Sequence, residues 1–111
     1  MRTRLTLIAL IVATLVAYAP VRSAGFVYED PVYLSFATRD LTLTDVAQPR
    51  GLTLLSFRLN GLWNGQSPHG YHAVNVGLHL LLGLTVFGFV RTLLPVPYAL
   101  VAAGLTLLHP I

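Results

Sequence analysis

Three groups of side chains in this 111-residue sequence could do chemistry. The first is Phe26-Val27-Tyr28-Glu29-Asp30, where two carboxylates are adjacent. Like charges this close raise at least one pKa, and desolvation near a membrane adds to the effect. A carboxylate so tuned can take a proton from a hydroxyl or hold a divalent cation. The bland reading is a solvated acidic dipeptide in a loop. The second group is His72, Asn75 and His79, which share one face of any helix because they fall at i, i+3 and i+7. Polar groups inside a span face protein or water-filled space. They can equally hold helix to helix, with Gly77 permitting close approach. The third group is Arg50 and Arg58, whose guanidinium groups suit a lipid phosphate. Two histidines supply too few ligands for a metal, so a divalent ion is at most an option for Glu29 and Asp30.

The elements that carry these residues are apolar. The composition is 55% hydrophobic and 10% charged, with a mean hydropathy of +0.71. A soluble domain carries about 25% charged residues, so lipid is the simpler solvent for this surface. All positive charge comes from seven scattered Arg, which excludes a nucleic-acid patch. Without Cys there are no disulfides or thiolate metal sites.

Residues 1–4 form a basic head and 5–21 a first transmembrane helix. Cleavage after Ala19 would leave Pro20 as the new N-terminus, and cleavage after Ala24 would set Arg22 three residues before the cut. Both are poor signal-peptide sites, so an uncleaved anchor is expected, with a secreted protein as the rival. Residues 22–70 hold all four acids and most of the turn formers, as an extracytoplasmic loop. Within it Leu52, Leu55, Leu59 and Leu62, with Trp63, predict an amphipathic helix. It would lie in the membrane interface or on a protein surface. Residues 71–91 are a second span, 92–97 a cytoplasmic turn, and 98–111 the start of a third helix. The last segment is too short to cross comfortably and reads as cut from something larger. Arg2, Arg4 and Arg91 place the N-terminus and the second turn in the cytoplasm. The Arg-only basicity suggests a GC-rich genome, hence a bacterial inner membrane. "Gly-Leu-Thr" recurs at Gly51, Gly83 and Gly104, but at unequal intervals, so no repeat is read.

Taken in order, these features resemble a known family. They are the basic head, Phe-x-Tyr-acid-acid, Arg-x-Leu-Thr-Leu-Leu-Ser-Phe, Asn60-Gly61, Pro68, Tyr71-His72-x-x-Asn75-x-x-x-His79 and Leu108-His109-Pro110. From about Gly25 to Ile111 the chain resembles the N-terminal part of the GT-C membrane glycosyltransferases. It is most similar to O-mannosyltransferase-like proteins with tetratricopeptide repeats after the membrane domain. The resemblance implies an all-α integral membrane bundle with two full transmembrane helices, the start of a third and a large first extracytoplasmic loop. It implies sugar transfer from a polyprenyl- or dolichyl-phosphate carrier to an outside acceptor. Glu29 or Asp30 would act as base or bind metal, and Arg50 or Arg58 would steady the phosphate. Tyr71, His72, Asn75, His79 and His109 would be structural or line the substrate. Implied partners are membrane lipid, the lipid-linked sugar donor and the remaining helices of a full-length protein. Two positions depart from the family: Glu29 stands for a more usual Asp, and Gly51 for Pro, which is expected to loosen the entry to the loop helix. The rival function is a small non-catalytic membrane protein that binds partner helices through His72, Asn75 and His79.

Overall fold

The computed structural model describes residues 1–25, 30–65 and 67–109, without the side chains of 30–33. Among these residues all regular structure is helical. The elements are α1 (Arg2–Tyr18), a 3-10 turn (Ala19–Ser23), α2 (Asp30–Thr38), α3 (Leu43–Val46), α4 (Gly51–Asn64), α5 (Pro68–Leu93) and α6 (Val96–Leu108). They fall into two compact units, residues 1–21 with 75–111, and residues 22–74.

The first unit is the apolar one. Arg2–Ser23 and Pro68–Leu93 are long and apolar enough to cross a bilayer. At ~1.5 Å per residue, the 26 residues of α5 exceed the ~30 Å hydrocarbon core. α6 has 13 residues and is shorter than a full crossing. Pro97 near its N-terminus costs no internal hydrogen bond, because the first helical N–H groups have no partner anyway. α6 turns Ala99, Ala103 and Leu107 inward, one per turn, and all three are fully buried. The small side chains let α1 come close, and Thr14 of α1 is fully buried too. Its hydroxyl is satisfied by the Leu10 carbonyl at 2.7 Å. Leu107 also occupies the space that a side chain at Gly83 of α5 would need.

The second unit is polar outside and has a small core of Leu34, Ala37 and Tyr71, with Phe57 packed against it. α2 and α4 cross where Gly61 meets Ala37. A Cβ at Gly61 would lie 2.8 Å from the Ala37 Cβ and closer still to its carbonyl oxygen. α3 is a single turn closed by a capping box. The Thr42 hydroxyl accepts from Asp45 N–H at 3.2 Å, and the Asp45 carboxylate accepts from Thr42 N–H at 2.9 Å. Arg39 adds an ion pair to Asp45 at 3.2 Å and lies over the Phe36 ring. The Thr42 backbone hydrogen bond first, then its hydroxyl and Arg39, hold the Asp45 carboxyl below the usual carboxylate range.

Gly51 corrects one sequence expectation. It does not loosen the entry to α4. Its N–H donates to the Gln48 carbonyl at 2.8 Å, a bond that proline could not make. A Cβ there would overlap the Val46 carbonyl.

Three outcomes follow for stability. Gly61→Val should destabilise the α2–α4 pair by about 1–3 kcal/mol, the usual range for overpacking. Gly77→Ala, where a Cβ meets nothing within 4 Å, should leave thermal unfolding in detergent unchanged. The folded pKa of Asp45 lies below the ordinary 3.8, so its contribution is complete above that value and is lost as pH falls through the folded one. Circular-dichroism melts should therefore show the second unit weakening in acid, and Asp45→Asn should shrink that dependence.

Candidate active site

Of the carboxylate pair, Glu29 lies outside the described residues, as do Phe26, Val27 and Tyr28. Asp30 opens α2, in the polar unit and beyond the end of the first apolar helix. Among the described residues no three His, Cys, Asp or Glu side chains come together as metal ligands would. The acid pair itself is not in that set, so its fit to a divalent ion rests on the donor chemistry of two adjacent carboxylates alone.

The arginines divide. Arg50 is exposed at the N-cap of α4, the positive end of the helix dipole. Arg58 is committed. One of its nitrogens donates to the Ala37 carbonyl at 3.1 Å, in the last turn of α2. Another donates to Asp40 at 2.9 Å. A cation here suits the negative C-terminal end of α2. The Asp40 side chain is 98% exposed, so that half of the arrangement is open to exchange with another anion.

The Tyr-His motif reads differently in three dimensions than on a helical wheel. Tyr71 is buried, its ring 5.3 Å from that of Phe57, and its hydroxyl donates to the Gly65 carbonyl at 3.0 Å. Gly65 has φ +59°, which ends α4, and Tyr71 holds the resulting turn. His72 Nε2 lies 2.9 Å from the Ala24 carbonyl. A carbonyl only accepts, so this nitrogen carries the proton. Asn75 is exposed.

His79 is buried, and its Nε2 donates to the Leu107 carbonyl at 3.0 Å. The Tyr18 ring stands edge-on to His79 at 5.3 Å, and its hydroxyl donates to the His109 carbonyl at 2.5 Å. These contacts have a local cause. His109 precedes Pro110, which disfavours helical backbone, and it is extended at φ −69°, ψ 135°. α6 stops there, and its last carbonyls need donors from elsewhere. His109 therefore enters through its backbone.

His69, which sequence reasoning passed over, belongs with this set. Its Nδ1 meets the Arg22 carbonyl at the end of the 3-10 turn. Its position three residues before His72, on the same helix face, was the available signal. The leucine stripe of α4 does not pack on the protein. Leu52 and Trp63 are each 81% exposed, and Leu62 is 62% exposed. Leu54 and Asn60 face inward instead.

Comparison with known proteins finds no matching family model and no matching solved structure. Two curated proteins of Drosophila melanogaster do match. "Protein O-mannosyl-transferase Tmtc1" is 52% identical over 62 residues, 55% of this chain and 7% of the relative. "Protein O-mannosyl-transferase Tmtc2" is 38% identical over 117 residues, 86% of this chain and 12% of the relative. The chain thus spans about a tenth of the length of the curated relatives it matches. With helices as the regular structure of its described residues and two of them able to cross a membrane, this membrane protein is a homologue of the protein O-mannosyl-transferases Tmtc1 and Tmtc2 along the stretches that match.

Proposed function

We propose that this chain supplies one portion of a membrane glycosyltransferase that moves a sugar from a polyprenyl- or dolichyl-phosphate carrier to an acceptor hydroxyl outside the cytoplasm. The 38% identity to Tmtc2 along 86% of the chain carries this reading. Mannose is the sugar that the relatives' names suggest. The acceptor oxygen attacks the sugar C1, the C1–O bond to the carrier phosphate breaks, and Asp30 or Glu29 takes the acceptor's proton. The carrier phosphate leaves as an anion. Arg50 or Arg58 would steady it, since a guanidinium suits a phosphate. The exposed Leu52, Leu62 and Trp63 suit the membrane interface, where a carrier headgroup lies.

For topology, Arg2, Arg4 and Arg91 favour a cytoplasmic N-terminus. Retention of α1 is supported by its packing on α6 and by the Tyr18 hydrogen bond to the His109 carbonyl. Both relatives are insect proteins, which weighs against the bacterial inner membrane that the arginine content suggests. The rival reading, a helix-binding protein acting through His72, Asn75 and His79, has weaker support. Two of those three side chains are engaged within the chain.

In the protein expressed from its full coding sequence, Asp30→Asn or Glu29→Gln should lower sugar transfer by about 100- to 10,000-fold, the range for loss of a general base. Wild-type rates in both variants would remove the carboxylates from the mechanism. The native sequence has no Cys, so topology can be read with single cysteines. In vesicles with the cytoplasmic face outward, Thr92→Cys should react with an impermeant thiol reagent, and Asp40→Cys only after detergent. The opposite pattern would put the acid pair on the wrong side for this reaction.

A further inference from the structure

We propose that His69 and His72 are positioning residues that pin the chain just before the acid pair, acting as a two-point clasp on the backbone. His69 Nδ1 meets the Arg22 carbonyl, and His72 Nε2 donates to the Ala24 carbonyl at 2.9 Å. The two histidines stand on the same face of the first turns of α5, and the two carbonyls are two residues apart where the 3-10 turn ends. The Arg22 carbonyl lies near the C-terminal end of that turn and the Ala24 carbonyl just past it, where helical backbone leaves acceptors for outside donors, and the imidazoles reach both.

The consequence reaches the acids through chain length. Ala24 is fixed by His72, and Asp30 begins α2, which is fixed to α4 at the Ala37–Gly61 contact. Five residues join those two anchors, so releasing the first widens the region that the acid pair can occupy. Misplacing a reacting group by about 1 Å can lower turnover on the order of 100-fold. The inference rests on the reading of Glu29 and Asp30 as the reactive carboxylates.

Each contact uses a different ring nitrogen, which makes the clasp separable from general structural damage. An Asn side chain places an N–H donor near the Nδ1 position of histidine, and a Gln side chain reaches the Nε2 position. His69→Phe and His72→Phe should each lower kcat at least 10-fold while leaving the donor KM within about two-fold, because the clasp holds the acids rather than the carrier. His69→Asn and His72→Gln should recover most of the loss.

A second readout needs no catalysis. Trypsin cuts at the Arg22 carbonyl, the group that His69 holds, so in detergent micelles the Phe variants should be cut after Arg22 faster than wild type or the Asn and Gln variants. Wild-type kcat and unchanged cleavage in the Phe variants, with Asp30→Asn inactive, would overturn the clasp and leave the carboxylate reading standing. Failure of both amide variants to rescue kcat and protection would also overturn it. Full activity in Asp30→Asn and Glu29→Gln would instead bring down the carboxylate reading, and the clasp's role with it.

Discussion

A backbone carbonyl released at the end of a helix in or near hydrocarbon has no water to turn to, and this chain answers that constraint with side chains. Pro110 ends α6, and its late carbonyls are taken by His79 and Tyr18. Where the 3-10 turn stops, His69 and His72 take the Arg22 and Ala24 carbonyls. The positive-φ turn at Gly65 is held by Tyr71, and the end of α2 by Arg58. Six polar side chains thus serve one purpose. The His79–Leu107 contact is the buried one of these, and leaving its acceptor unmet would cost about 1–3 kcal/mol.

That shared purpose sorts the polar residues by role. The Tyr-His-x-x-Asn-x-x-x-His pattern is mostly scaffolding, because three of its four members are occupied by backbone. Asn75, the fourth, is exposed. In the proposed reaction the acid pair and the arginines would be the groups that meet a substrate, and they lie on the polar segments between the apolar helices in the sequence.

The sequence made some of this legible and hid the rest for physical reasons. The two long helices follow from uncharged apolar runs, a property of composition that needs no tertiary knowledge. The α4 leucine stripe was visible because it repeats with helical period. α2 and α3 were passed over although each has a local signature: Asp30-Pro31 at a helix start, and Thr42-x-x-Asp45 as a capping box. The true partners of the histidines were not visible. Their contacts join residues 28, 47 and 48 positions apart, and nothing in helical spacing says that a carbonyl will be waiting there. For the same reason the hold of Arg58 on the end of α2, 21 positions away, could not be read from the sequence.

One feature of the apolar unit reaches further than its contacts. Leu107 fills the hollow over Gly83 while its own carbonyl is held by His79, so side chain and main chain of one residue grip the same neighbouring helix. Turning α6 by a single residue, about 100°, would empty the hollow and strip the carbonyl together. The rotational phase of α6 is thereby locked twice over at one point. Spinning α6 or sliding it along its axis would thus cost both contacts at once, whereas a tilt about Leu107 keeps them.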